Sequence, residues 1–251
     1  MTLKLYQDVL ATLEGGKVRE VKVGLRWTAV VVEREGELRC GLSTTLDTEH
    51  EHTGEASVPG AGNLTARPIQ DLAGWITSDV PIRRSIGCAA INALLRRHPE
   101  RWVDDNAVNA IRRRGAGKKV VLIGHFPFVP DLRQELDDFT VLDHRPIGQD
   151  LPAQKAPDLL PEADVVAITG MTFINRSLGE LLSWCKPDAY LMLLGPTTPL
   201  SPVLHDYGVD MLAGSVVRDV PSVLEVLTQA GNFRQVHQAG VQLVLQTPAG
   251  D

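Results

Sequence analysis

Lys119-Val120-Val121-Leu122-Ile123-Gly124-His125-Phe126-Pro127-Phe128 decides the fold. Four apolar residues run without interruption into a glycine. A strand with one wet face would alternate polar and apolar, so this one predicts a strand covered on both sides. The same grammar recurs at 139–142, 164–169, 189–194 and 209–212, with helical segments such as 131–138 and 177–185 between the runs. Short apolar runs alternating with helices predict an α/β domain of Rossmann-like type with a mainly parallel sheet. Right-handed crossovers then bring the C-terminal ends of five strands to one edge, where such sheets take ligands. The spacing does not give the strand order.

Upstream the pattern differs. Leu3, Tyr6, Val9, Leu10 and Leu13 recur at helical spacing and stop at Gly15-Gly16. Stretches 18–25, 28–33 and 38–42 read as an antiparallel meander, with Glu35-Gly36 as a turn. Segment 49–63 is polar and glycine-rich and reads as a loop, and 68–75 and 81–97 read as helices. This is an α+β module, and the break at Gly115-Ala116-Gly117 divides the chain into expected domains 1–114 and 115–251.

Within the 251 residues, 43% hydrophobic and 22% charged, no stretch approaches the roughly 18 apolar residues of a membrane span. The first residues lack the pattern of a secretory signal, so a cytoplasmic, membrane-free protein is expected. Three scattered cysteines suit reduced thiols. A net charge of -6 disfavours nucleic acid as a partner. The basic run Arg112-Arg113-Arg114 with Lys118-Lys119 is either a solvated helix end or an anion site. The expected partner is a small-molecule ligand, with a second copy of the chain left open.

The first strand leads into Gly124-His125-Phe126 where a dinucleotide-binding domain would show GxGxxG, so ordinary NAD binding is not expected. Gly124 allows a tight turn, and His125, just past the strand end, is an acid, base or ligand, or else a plain loop histidine. Asp143 closes the second strand, placed either to take ribose hydroxyls or to form a turn. Thr169-Gly170 ends the third strand, and Asn175 reads either as an N-cap or as an amide offered to a ligand. Gly195-Pro196-Thr197-Thr198-Pro199-Leu200-Ser201-Pro202 is a rigid loop rich in hydroxyls, a binding loop or a structural turn. Gly214-Ser215 reads as the end of the fifth strand. Asn92, amid alanines and leucines, must pair with backbone or reach the cleft. His50 and His52, with Glu51 and Glu55, have donors for a transition metal, against the reading of a hydrated loop.

Three segments carry a resemblance: Ser85-Ile86-Gly87-Cys88-Ala89-Ala90-Ile91-Asn92-Ala93-Leu94, Leu160 to Gly170, and Gly195 to Leu200 with Gly208-Val209-Asp210. Together they are similar to the family called "putative heavy-metal chelation", over nearly the whole chain. The resemblance implies an enolase-N-terminal-like domain joined to a Rossmann-like domain, with a cleft between them. It implies a link to metal-chelating, pterin-like or flavin-like compounds, with Asn92, Thr169, Gly170, Asn175, Gly195, Pro196 and Thr197 as cleft residues. The leading expectation is an enzyme acting on such a compound, with His125 moving protons and Asn175 and Thr197 orienting substrate. Gly124, Phe126, Asp143 and Thr198 complete the expected ligand-binding set. Two alternatives stand beside it. One is a non-catalytic binder of a transition metal or metal chelate through His50, His52 and Cys40 or His125. The other is a methyltransferase-like adenosyl binder using Asp143.

Overall fold

The computed structural model describes residues 2–46 and 56–249. Its strands are β1 (Lys17–Val23), β2 (Trp27–Arg34), β3 (Glu37–Thr44), β4 (Trp102–Val103), β5 (Lys119–Ile123), β6 (Asp138–Asp143), β7 (Leu151–Pro152), β8 (Val165–Thr169), β9 (Tyr190–Leu194), β10 (Met211–Val217) and β11 (Val241–Gln246). Its helices are α1 (Thr2–Ala11), α2 (Ile69–Gly74), α3 (Pro81–Leu94), α4 (Ala107–Gly115), α5 (Val129–Glu135), α6 (Ala156–Leu159), α7 (Met171–Asn175), α8 (Leu178–Trp184), α9 (Val203–Asp206), α10 (Val220–Thr228) and α11 (Phe233–Gln238).

β1, β2 and β3 form an antiparallel sheet, and the remaining strands form an eight-stranded sheet in the order β4-β11-β10-β9-β8-β5-β6-β7. Counted from β5, its six parallel strands lie 3-2-1-4-5-6, the order of a dinucleotide-binding fold, with the switch point between β5 and β8. The apolar runs are continuous because alternate residues enter two cores. Val121, Ile123, Val166 and Ile168 face one core with α8 and α9. Val120, Leu122, Val165 and Ala167 face the other with α4 and α5.

The sheet has eight strands rather than the five expected. β11 adds antiparallel to β10, and β4 to β11. Gly214-Ser215 is not a strand end, since β10 runs through both to Val217 and pairs there with β11. Trp102–Val103 already belongs to the large sheet, upstream of Gly115. The basic run is a helix end with each arginine matched: Arg112 to Glu135, Arg113 to Asp105, and Arg114 over the Tyr190 ring at 4.3 Å.

The small sheet is held on both faces. Val30 and Val32 pack against Ile86, Ala89, Ala90 and Ala93 of α3, while Ala29, Val31, Cys40 and Leu42 pack against Val223, Leu224 and Leu227 of α10. The N-terminal half is thus gripped by helices from both halves of the chain. α1 packs against α8 and α9, where the Tyr6 hydroxyl donates to the carbonyl of Phe173 at 2.5 Å and the Tyr207 hydroxyl to Asp8 at 2.6 Å.

Gly41 is where β3 and α3 touch. A Cβ there would lie 2.1 Å from the Ala89 carbonyl oxygen and 2.3 Å from the Ala93 nitrogen, both backbone atoms that cannot swing aside. Gly41→Ala is expected to lower stability by about 2–4 kcal/mol through forced separation of the two elements. Urea denaturation checks this, and an unchanged midpoint would contradict the close approach.

Candidate functional site

At the C-terminal ends of β5 and β8 the chain turns away to opposite faces of the sheet, from β5 into α5 and from β8 into α7 and α8. The gap they leave is a cavity of about 740 Å³, within the usual range for small-molecule sites. Gly124 and Gly195 end β5 and β9 at φ +100° and +107°, conformations that favour glycine and bend the backbone off the sheet edge. The small sheet closes the opposite side with Trp27 and Thr44 to Leu46. Phe126, Trp184 and Phe233 supply further aromatic wall, Phe126 lying nearly parallel to Phe128 at 5.1 Å and Phe233 against Trp27 at 5.6 Å. Its polar groups include His125, Asp143, Gln154, Thr169, Asn175, Ser177 and Glu180 beside the threonines of β3 and of the loop after β9, with His144 and Arg145 exposed at the rim.

The structure brings Gly124, His125, Phe126, Asp143, Thr169, Gly170, Asn175, Gly195, Pro196 and Thr197 to this one cavity. Two expected members face elsewhere. Asn92 ties α3 to β3 and to the loop after β9: its Nδ2 donates to the carbonyls of Leu42 (2.8 Å) and Thr197 (3.3 Å). Thr198, 2% exposed, lies with Asn92 and Gln246 around a separate small void behind the loop. Gly195 to Thr198 form a turn closed by the Thr198 amide on the Gly195 carbonyl at 2.9 Å, and the chain leaves it with Thr197 lining the cavity and Thr198 the void behind. Thr197 is committed as well, its Oγ1 accepting the Thr44 amide at 2.9 Å and meeting the Thr44 hydroxyl at 2.9 Å. Its hydroxyl joins β3 to the loop after β9, where substrate orientation was expected.

Asp143 is a turn former. Its carboxylate accepts the amides of His125 (3.0 Å) and Arg145 (2.7 Å), one on each oxygen, and the residue also lines the cavity. Asn175 ends α7 and is not the residue adjoining α8. Its Oδ1 accepts the amide and hydroxyl of Ser177 at 3.0 and 2.7 Å, and Nδ2 makes no hydrogen bond among the described residues. His50 and His52 lie outside the described residues. Cys40 is buried at 5% exposure in the core between β2, β3 and α10, where burial pushes its thiol up to about 12, and it does not line this cavity. No group of three His, Cys, Asp or Glu that could hold a metal occurs among the described residues, and no helix there is long and apolar enough to cross a membrane.

Asp150 had no sequence signal, lying in the polar turn Gly148-Gln149-Asp150 with its partners far away in the chain. Its side chain is inaccessible to solvent. It receives His125 Nδ1 at 2.7 Å, Arg133 Nη2 at 2.6 Å and the Ile147 amide at 3.1 Å. Burial pushes this carboxyl upward, but the Ile147 amide, His125 and Arg133 together hold it below the usual carboxylate range. Trp27, Trp184 and Phe233 were also missed, because single aromatic residues carry no pattern.

Two family models described as "Putative heavy-metal chelation" match the chain over residues 6–95 and 106–245. An uncharacterised protein of Methanocaldococcus jannaschii is 26% identical over 226 residues, covering 87% of this chain and 86% of its own. A crystal structure of a protein of unknown function from Desulfitobacterium hafniense superposes with a TM-score of 0.83 at 26% identity, covering 98% of both chains. One from Pyrococcus horikoshii superposes with a TM-score of 0.83 at 22% identity, over 98% of this chain and 100% of that one.

A carboxyl held below its usual range is ionised in the folded chain at a pH where the unfolded chain binds a proton. It therefore stabilises the fold above the unfolded value, and this contribution is lost as pH falls through the folded one. Asp150→Asn is expected to cost about 1.5–3 kcal/mol at pH 7. The gap between wild type and variant should shrink below about pH 4. Denaturation curves across that range check the sign, and a gap that widens in acid would refute it.

Proposed function

The chain belongs to the family described as "Putative heavy-metal chelation", and from that membership and the make-up of the cavity we propose that it binds a planar organic ligand of metallophore, pterin or flavin type in the interdomain cleft. The observation that carries this reading is the aromatic wall of Trp27, Phe126, Trp184 and Phe233 around a mostly apolar space of about 740 Å³. Aromatic faces take up a flat ring system by stacking, while a few fixed polar groups set its orientation. Asn175 Nδ2 and the Thr169 hydroxyl offer hydrogen bonds to the ring edge, and Arg145 and His144 at the rim suit a ligand with anionic substituents. The described residues offer no three-donor cluster for a bare ion, so in this reading the ligand carries the metal's donors and the protein holds the chelate.

The test is a thermal-shift and calorimetric panel of flavin mononucleotide, neopterin and the iron(III) and nickel(II) complexes of citrate. S-adenosylmethionine and bare nickel, zinc and copper serve as comparison arms. At 100 times its Kd a true ligand adds about 2.7 kcal/mol of stability. Trp184→Ala and Phe126→Ala are expected to weaken it about tenfold or more by removing 1.5 kcal/mol or so of stacking. Stabilisation by the bare metals alone, or by none of the organic compounds, would overturn the proposal.

A further inference from the structure

We propose that His125 is a general base of the cleft, accepting a proton from the bound ligand at Nε2, and that Asp150 is the positioning residue that makes it one. This rests on the cleft being a ligand site, as read above.

The donors and acceptors fix the tautomer. Asp150 is fully buried and already receives the Arg133 guanidinium at 2.6 Å and the Ile147 amide at 3.1 Å. A carboxylate so placed can only accept, so at 2.7 Å His125 Nδ1 must carry the hydrogen. In a neutral imidazole the other nitrogen is then an acceptor. Nε2 makes no hydrogen bond among the described residues, and His125 lines the cavity. The backbone is pinned as firmly as the ring: Gly124 makes the turn, and the His125 amide donates to Asp143 at 3.0 Å. Two carboxylates from different segments thus hold one histidine, and neither occupies Nε2.

Arg133 separates this arrangement from a metal site. Where a carboxylate backs a metal-bound histidine, its charge helps to offset that of the cation. Here Arg133 already neutralises Asp150, so the carboxylate behind His125 has no charge left over to offset that of a cation. The arrangement suits a ligand with an acidic N–H or O–H. In the step, that bond breaks, its electron pair stays on the ligand, and the proton moves to Nε2. The imidazolium formed is steadied through Nδ1–H by Asp150. Loss of such a proton is also what turns a heterocyclic N–H or a hydroxyl into a metal donor.

The ring can be interrogated without knowing the ligand. Nitrogen-15 NMR of histidine-labelled protein at neutral pH is expected to show His125 with a pyrrole-type Nδ1 and a pyridine-type Nε2. Asp150→Asn should invert the pair, because the new amide can donate to Nδ1. Diethyl pyrocarbonate, which attacks an unprotonated imidazole nitrogen, should modify His125 in the wild type and at least about tenfold more slowly in the variant, as a wrong tautomer predicts. A thermal melt confirms that the variant is folded. A pyrrole-type Nε2 in the wild type overturns the proposal whatever the variant does, as does equal reactivity of the two folded proteins. These readouts need no bound compound, so a cavity that takes none of the planar probes and a histidine in the wrong tautomer are separable failures.

Discussion

The adjacency of β5 and β8 is the constraint from which the cleft follows. Strands added in sequence on one side of β5 and then on the other must send their connections to opposite faces, and no side chain can fill both departures at once. The chain leaves β5 into the core of α4 and α5 and leaves β8 into the core of α8 and α9. The opening is therefore topological. What this chain adds is a roof: the three-stranded sheet is pressed over it and fastened by Thr44 to Thr197, Asn92 to Leu42 and Thr197, and Arg84 to the Ile174 carbonyl at 2.7 Å.

That roof explains why the rigid loop after β9 misleads when read residue by residue. Gly195 and Pro196 line the cavity, Thr197 clasps β3, and Thr198 turns into the rear void beside Asn92 and Gln246. Gly170 is packed against that same loop, since a Cβ on it would lie 2.7 Å from the Thr198 nitrogen. The prolines serve the seam first, and the cavity wall is the side of the seam that remains open. Asn92 belongs to the same joint: a polar residue on an apolar helix face was legible as needing a partner, but which side of the joint the partner stood on was not.

Legibility followed the length scale of the signal. The five parallel strands could be read because burial on both faces removes polar residues from consecutive positions, a pattern internal to each strand. β4 and β7, two residues each, are too short to show any pattern, and β11 is held by pairing with a strand more than twenty residues earlier. The cavity's glycines announced themselves through their position after apolar runs. The aromatic residues came from four separate elements and were invisible as a set. Asp150 is the extreme case, because its meaning lies wholly in His125 and Arg133, from two other segments.

Heavy-metal chemistry and a mostly apolar, aromatic cleft seem at odds only if the protein itself must supply the coordinating atoms. A bare divalent ion asks for several charged or imidazole donors converging on one point. The cleft offers instead stacking surface, side-chain amides and hydroxyls, and a histidine backed by a carboxylate that Arg133 already neutralises. Those features recognise an organic framework, and on the proposed reading the framework brings its own donors. On the same proposal His125 takes the framework's acidic hydrogen, and removing that hydrogen is what allows the framework to bind metal. Placing the base in the protein and the donors in the ligand lets one small cavity serve chelation without itself resembling a metal site.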